Sequence, residues 1–131
     1  MADWNVIRPA DTPHPFALAL SGEDAVFVSG IGGHEPDGDI SEDVVEQARR
    51  AIQTVRELLE QAGSSLDEIV WFHPYVTVRE HAFTMDEVLR ETFGDTPPAS
   101  GALVICDLAD PRMKLEFEAV AVRGARRVES S

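Results

Sequence analysis

The chain is poor in cysteine and has no long apolar run. Cys106 is its one cysteine, so no disulfide can form within the chain. No apolar stretch approaches the roughly 20 residues that a helix needs to cross a bilayer. The first fifteen residues lack both the basic and the apolar segments of a signal peptide. We therefore expect a soluble, cytoplasmic protein with no membrane partner.

Basic charge is also scarce. The chain has 131 residues, and its 11 Lys and Arg stand against 24 Asp and Glu, which gives a formal net charge of -13. Such a charge repels phosphate backbones, and the one basic cluster, RGARR near the C-terminus, is typical of a solvated chain end. We expect no nucleic-acid partner.

Sequence motifs for nucleotides, nucleophiles and metals are missing too. The segment GIGGHEPDGDI has neither the dinucleotide fingerprint nor the P-loop lysine, and no Gly-x-Ser-x-Gly elbow occurs. His34 and the acids after it do not follow the spacing of a calcium loop, which favours an ordinary turn. His73 is interpreted as a hydrogen-bonded core residue and Cys106 as an inert thiol. We predict no metal.

The residues that are present predict one α+β domain over residues 1–131. FALAL and AVFVSG, separated by the turn cluster SGED, predict a hairpin. Ser41 as a cap, two acids after it, and apolar residues at spacings of three or four predict a long helix that Gly63 ends. The charged side of this helix is most simply a solvated face.

The second half of the chain repeats the alternation of strand and helix. VWFHPYVTV predicts a strand, residues 83–93 a helix closed by Gly94, and the stretches after TPPAS and in KLEFEAVAV two more strands. The predicted order is β-β-α-β-α-β-β, with an irregular lead-in over 1–15 and a frayed tail over 124–131. Because the strand VWFHPYVTV is apolar on both faces and helices can cover only one, we infer an oligomer.

A pair of carboxylates stands out in KLEFEAVAV. A period of two places Glu116 and Glu118 on one strand face, about 6.5 to 7 Å apart, where burial and mutual repulsion can raise one pKa and create an acid or base. The alternative is a solvated strand end, in which neither carboxylate has a chemical role.

Four segments together resemble the Rid (YjgF) family of enamine and imine deaminases. They are VFVSG, VVEQARRAIQTVRELLEQAGSSLDEIV, MDEVLRETFGDTPPA and EFEAVAVR, in the order and spacing of the family. The resemblance implies a fold similar to the small trimeric chorismate mutases, with two helices on one face of a mixed sheet. It also implies a homotrimer with active sites between subunits, which hydrolyses 2-aminoacrylate or 2-imino acids without a cofactor.

The resemblance assigns roles to individual residues. Glu116 matches the glutamate that holds the attacking water in the family. Phe16 stands where many members have a tyrosine, and Asp86 where an asparagine is common. The substrate-binding positions implied by the family are Phe16, Ser29, Gly30, Ile31, Asp86, Ser100 and Gly101.

The main departure lies at Ser100. Typical members read Pro-Ala-Arg-Ser where this chain has Pro98, Ala99, Ser100 and Gly101, and the family arginine clamps the substrate carboxylate. A charge-assisted hydrogen bond is worth about 1.5 to 3 kcal/mol, so we expect a neutral or cationic, bulkier substrate in place of a small carboxylate. Arg112, in the next loop, is a poor replacement.

Two functions therefore remain open. The first is a cofactor-free Rid-type hydrolase that acts on an enamine or imine other than simple 2-aminoacrylate. The second is a non-catalytic small-molecule-binding or chaperone-like trimer that has kept the fold and lost the clamp. A ribonuclease role, which has also been attached to the family, is disfavoured by the charge of -13.

Overall fold

The computed structural model describes residues 2–8 and 14–130. Over these ranges the chain forms seven strands and two helices, with a short 3-10 helix, Leu66–Glu68, before the fourth strand. In chain order they are β1 (Asn5–Ile7), β2 (Ala19–Ser21), β3 (Ala25–Ile31), α1 (Val44–Gln61), β4 (Ile69–Val76), α2 (His81–Phe93), β5 (Ala99–Ser100), β6 (Val104–Ile105) and β7 (Leu115–Val122).

The strands form one mixed sheet in the order β1-β2-β3-β7-β4-β5, and β6 also pairs with β4. The pairs are antiparallel except those of β4 with β5 and with β6. β2 and β3 are the predicted hairpin. The predicted α+β fold, with two helices and a mixed sheet, is therefore confirmed.

The last strand, β7, divides its side chains as its alternation predicts. Leu115, Phe117, Ala119 and Ala121 are buried, while Glu116, Glu118, Val120 and Val122 face the other side. The buried set meets the apolar line of α1, which consists of Ala48, Ala51, Ile52, Val55 and Leu59. Phe93 of α2 packs edge-on against Phe72, which in turn contacts Phe117. Both helices therefore cover the same face of the sheet.

The ends of α1 differ slightly from the prediction. The N-cap is Asp43, not Ser41: the Asp43 carboxylate accepts hydrogen bonds from the backbone N–H groups of Val45 and Glu46. Ser41 lies two residues earlier, where its hydroxyl accepts a bond from the Asp43 N–H and donates to Glu46. At the other end Gly63 has φ +75, so the predicted stop is correct.

The predicted strand after TPPAS is two short strands, β5 and β6. Each pairs in parallel with β4, and residues 101–103 lie between them. The prediction of one continuous strand was wrong, because β4 supplies partners for only two residues of each segment.

The lead-in and the tail are more ordered than predicted. Residues 5–7 form β1, which pairs with β2, and the rest of the lead-in from 9 to 13 lies outside the described residues. In the tail, the Arg127 guanidinium donates to the carbonyls of Leu66, Asp67 and Ile69. The tail is therefore held at Arg127, because the ends of the 3-10 helix and of β4 leave carbonyl groups that need donors.

The sheet face opposite the helices is apolar and open. Its exposed side chains include Phe27 (50%), Trp71 (41%), Leu20 (37%) and Val122 (37%). On β4, Phe72, Pro74 and Val76 point to the core, whereas Trp71, His73 and Tyr75 point to this open face. The sequence had suggested that His73 is a core residue, and this was wrong, because its side chain points to the open face.

Neither helix resembles a membrane span. Among the described residues, no helix combines the length and the apolar character needed to cross a bilayer.

Candidate active site

A cleft of about 840 Å³ opens beside the end of β3. Four of the residues implied by the family resemblance line it: Phe16, Gly30, Ile31 and Glu116. The cleft also runs along α1 past Arg50, Thr54 and Glu57, and along the loop before β7 past Asp110 and Arg112. Its size lies toward the upper end of the range usual for small-molecule sites.

Glu116 reaches the cleft across Gly30. A β-carbon built on Gly30 would lie 2.9 Å from Glu116 Oε1, so the absence of a side chain at position 30 makes room for the carboxylate. Burial raises the pKa of Glu116, the negative charge of Glu118 raises it further, and the nearby His34 lowers it. A carboxylate with a raised pKa is a stronger base than a solvated one.

Glu118, the other carboxylate on this strand face, is occupied by a hydrogen bond. The Tyr75 hydroxyl donates to it, and this bond, together with burial and the charges of Glu118 and Glu116, raises the pKa of Tyr75 to about 12. His73 lies 3.2 Å from the same hydroxyl through Nδ1, and its Nε2 is 3.0 Å from the carbonyl oxygen of Ala102. Glu118 therefore acts on Glu116 through its negative charge, which raises the Glu116 pKa. The sequence had left open whether the two carboxylates repel each other in this way or form a solvated strand end.

Ser29 and Asp86 are not among the cleft residues. The Ser29 hydroxyl donates to the carbonyl of Ala17, 2.7 Å away, and so ties β3 to the segment that carries Phe16. Asp86 is exposed on α2. Ser29 therefore supports the cleft wall, whereas Asp86 lies away from it.

Ser100 and Gly101 also lie apart from Glu116 within one chain. β4 separates β5 from β7, and Ser100 pairs with Phe72, three residues along β4 from Tyr75, the partner of Glu116. The exposed Ser100 hydroxyl donates to the Gly101 carbonyl at 2.8 Å. Gly101 packs against the His73 ring, which a β-carbon would approach to 2.8 Å.

Two guanidinium groups line the cleft, and only one was considered from the sequence. Arg112 is bound to Asp110 through Nη2–Oδ2 (2.8 Å) and Nε–Oδ1 (3.1 Å), so it is already paired. Arg50 belongs to the charged side of α1, which the sequence predicted as a solvated face, but it lies between Glu57 at 3.3 Å and Glu35 at 3.7 Å. Its Nε is buried and donates no hydrogen bond to any described residue.

The second residue that sequence reasoning missed is His34. It was interpreted as part of an ordinary turn, yet it lines the cleft and its Nε2 lies 2.9 Å from Asp110 Oδ2. The two residues are 76 positions apart in the chain. A glycine-rich loop directly after a strand was the only local signal that could have marked it.

No metal cluster is apparent in the described parts of the chain. Within 2–8 and 14–130, no three side chains of His, Cys, Asp or Glu come together as a metal would require.

A smaller depression of about 420 Å³ lies near the C-terminus, between residues 67–68 and 124–127. Arg127 lines it, but this guanidinium already donates to four carbonyl groups, those of Thr96, Leu66, Asp67 and Ile69, and also covers the Phe93 ring. Its role there is structural.

Comparison with known proteins agrees with the fold. A family model described as Endoribonuclease L-PSP matches residues 8–123. A RutC family protein of Pyrococcus abyssi is 32% identical over 111 residues, which are 83% of this chain and 87% of that protein. The 3-aminoacrylate deaminase RutC of Acinetobacter baylyi is 27% identical over 121 residues, 88% of this chain and 95% of that one.

TdcF of Escherichia coli offers both a sequence and a structure. It is named as a candidate reactive intermediate deaminase and is 30% identical over 115 residues, 85% of this chain and 88% of TdcF. The crystal structure of TdcF with bound serine superposes with a TM-score of 0.82 and 28% identity, and covers 92% of this chain and 99% of that one.

Proposed function

Because the chain belongs to the endoribonuclease L-PSP family, the Rid (YjgF) family that the sequence predicted, we propose that it hydrolyses an enamine- or imine-type intermediate. The products are a carbonyl compound and ammonia. The observation that carries this proposal is Glu116, a carboxylate with a raised pKa that enters the cleft where Gly30 leaves it room. RutC, named as a 3-aminoacrylate deaminase, and TdcF, named for deamination of a reactive intermediate, support the reaction class.

Hydrolysis of an imine needs an oriented water and a group that takes its proton. Glu116 accepts the proton while the water oxygen bonds to the imine carbon and the nitrogen takes up a proton. The resulting carbinolamine loses ammonia as its hydroxyl becomes the carbonyl. No oxidant or reductant is needed, so the proposal includes no cofactor.

The active unit in this proposal is a homotrimer whose clefts are completed by neighbouring subunits. Two observations support it. The sheet face opposite the helices exposes Phe27 and Trp71, and apolar surface of this kind favours association. Ser100 and Gly101, which match substrate-binding positions of the family, lie too far along the sheet to serve the Glu116 cleft of their own chain.

The proposed substrate is not simple 2-aminoacrylate. Ser100 leaves the clamp position without a cation, and Phe16 offers no hydroxyl. Four acids line the cleft, Glu35, Glu57, Asp110 and Glu116, against two arginines that are paired with acids. Their charge and the room in the cleft suit a neutral or cationic, bulkier imine. With a net charge of -13 we propose no nucleic-acid partner, and a cytoplasmic location suits a reactive substrate.

A panel of imines generated in situ, with and without carboxylates, tests this function. We expect the wild type to hydrolyse a carboxylate-free imine above the buffer rate, and Glu116→Gln to lose at least a hundredfold in kcat. Gly30→Ala should lose activity too, because its β-carbon displaces the carboxylate. Ser100→Arg should shift the preference toward 2-imino acids.

The alternative, a binding protein that has lost catalysis, is favoured by the missing arginine at Ser100. It predicts that no imine in the panel is hydrolysed faster than in buffer. Calorimetry should instead detect binding of a neutral or cationic ligand, with an affinity that falls when cleft residues are substituted. That pair of results would remove the hydrolase proposal.

A further inference from the structure

An Asp110–His34 pair faces the same cleft as Glu116. The Asp110 carboxylate is held at both oxygens: Oδ1 accepts from the backbone N–H and the Nε of Arg112, and Oδ2 accepts from Arg112 Nη2. His34 Nε2 approaches Oδ2 to 2.9 Å. The hydrogen bonds from Arg112 and His34 hold the pKa of Asp110 well below its usual range, so it stays ionised.

This contact determines which nitrogen of His34 can react. An ionised carboxylate only accepts hydrogen bonds, so Nε2 carries the proton that lies between the two residues. In the neutral ring, Nδ1 then keeps its lone pair. Over residues 2–8 and 14–130 the one hydrogen bond of the His34 ring is made through Nε2 and none through Nδ1, which leaves Nδ1 available to a bound molecule.

Two glycines place His34 next to Glu116. A β-carbon on Gly30 would meet Glu116 Oε1 at 2.9 Å, and one on Gly32 would meet His34 Nδ1 at 3.3 Å. Positions two apart along an extended chain point to the same side and are roughly 7 Å apart. The carboxylate and the imidazole thus occupy adjacent places on one wall, with room between them for a water and a small reacting group. His34 also lowers the pKa of Glu116, as a nearby group that can carry positive charge does.

We propose that His34 is a second acid–base residue of this cleft, oriented by Asp110, which transfers protons to and from the substrate while Glu116 serves the water. The proposal rests on the proposed function. The role of His34 goes beyond that function, because it names the group that gives a proton to the substrate nitrogen in the first step and accepts one from the hydroxyl in the second. Glu116 alone does not serve both steps.

The protons balance over one turnover. In the addition step, Glu116 takes a proton from water, the C–O bond forms, and the former C=N electron pair takes the proton from protonated His34. In the second step, the protonated Glu116 gives its proton to the amino nitrogen, the C–N bond breaks, and neutral His34 accepts the hydroxyl proton as C=O forms. Imine and water become carbonyl compound and ammonia, and both residues return to their starting state. The Asp110 carboxylate stabilises the imidazolium whenever it forms.

A purely structural role for His34 is the competing explanation. Its backbone forms an isolated bridge with Ile40, and the bond to Asp110 joins the loop after β3 to the loop before β7. Removal of the ring could therefore loosen both loops, so a loss of activity by itself does not establish the proposal.

Chemical rescue separates the two roles. The test compares the wild type, His34→Ala, Glu116→Gln and the control His81→Ala, in which a histidine of α2 outside the cleft is removed. For the imine that the wild type hydrolyses best, we expect His34→Ala to lose a hundred- to ten-thousandfold in kcat with KM within threefold. Imidazole added to the buffer should restore at least tenfold of that loss in His34→Ala and none in Glu116→Gln.

Three results would overturn the assignment. They are a kcat of His34→Ala within threefold of the wild type, a loss that imidazole does not restore, and a loss expressed mainly in KM. His81→Ala should match the wild type in every readout.

A nuclear magnetic resonance measurement keeps the test independent of turnover. Nitrogen-15 spectra of His34 should show the neutral ring protonated at Nε2 in the wild type, and this preference should weaken in Asp110→Asn. A neutral ring that carries its proton at Nδ1 instead of Nε2 would overturn the proposal even if imines are hydrolysed. If the spectra agree but no imine in the panel reacts, the proposed function fails, and the catalytic role of His34 fails with it.

Discussion

Among single residues, Glu116 combines a chemical role with a cost in folding free energy. Burial and the charge of Glu118 raise its pKa above the value that the group has in the unfolded chain. A carboxyl group whose pKa is raised on folding favours the folded state below the unfolded pKa. That contribution is lost as the pH rises through the folded pKa. At neutral pH the ionised side chain therefore destabilises the fold.

Substitution of Glu116 by glutamine should reveal that cost. Glu116→Gln keeps the shape without the charge, so we expect the free energy of unfolding at pH 7 to rise by about 1 kcal/mol, a modest gain because solvent screens a half-buried charge. The gain should vanish near pH 3.5, below the ordinary pKa of a glutamate side chain. Urea unfolding followed by tryptophan fluorescence, at one protein concentration, measures it at each pH.

The exposed Glu60 of α1 provides the control, because Glu60→Gln removes a charge without removing a buried one. Its effect should stay within 0.5 kcal/mol, as for most surface substitutions. A Glu116→Gln gain that persists at pH 3.5, or a loss at pH 7, would contradict the assigned electrostatics.

Between elements, Gln47 provides a fully buried polar link. This fully buried side chain of α1 donates to the carbonyl oxygens of Ser41 at 2.7 Å and Arg112 at 3.0 Å, and accepts from the Lys114 N–H at 2.9 Å. It thus joins the start of α1 to the loop that carries Arg112.

Replacement of Gln47 by leucine should therefore be costly. Gln47→Leu keeps a similar volume but leaves buried backbone groups without partners, and we expect a loss of about 2 to 4 kcal/mol in the free energy of unfolding. Gln53→Leu, on the half-exposed side of the same helix, should cost less than about 0.5 kcal/mol. Equal losses in the two variants, measured by urea unfolding, would show that the three hydrogen bonds contribute little.

The same elements show where sequence reasoning succeeds. α1 and β7 were predictable because each carries its own period, of three to four residues and of two respectively, and because Gly63 and Gly94 mark helix ends with positive φ. A hairpin between β2 and β3 was predictable from its short turn. These signals are local in the chain.

What escaped prediction depends on contacts between distant residues. Ser41 and Asp43 are both good caps, and only the geometry of the first turn decides between them. The split of β5 from β6 depends on parallel pairing with β4. His34 meets Asp110 across 76 positions, and Arg50 turns from a solvated residue into a cleft residue because Glu35 and Glu57 converge on it. No local pattern encodes such meetings.

At the scale of the whole molecule, the two faces of the sheet are unlike. One is covered by α1 and α2, and the other exposes aromatic and aliphatic side chains around Phe27 and Trp71. The clamp position at Ser100 lies at the β5 edge, apart from the Glu116 cleft. A trimer that buries the open face would explain both the apolar surface and the separate position of Ser100. It covers that surface and can bring the β5 edge of one subunit to the cleft of the next.

A charge placed on the open face should therefore disrupt assembly and activity together. Phe27→Glu puts a carboxylate where Phe27 is 50% exposed on the sheet, and Phe83→Glu puts one at an even more exposed site, 73%, on α2. Both variants add one negative charge to a chain of net charge -13, so the general repulsion between subunits is matched.

Native mass spectrometry should find trimers for the wild type and Phe83→Glu. For Phe27→Glu it should find monomers, with at least tenfold weaker imine hydrolysis, because a buried unpaired carboxylate costs several kcal/mol. A monomeric wild type, or a trimeric Phe27→Glu variant with full activity, would contradict association through this face.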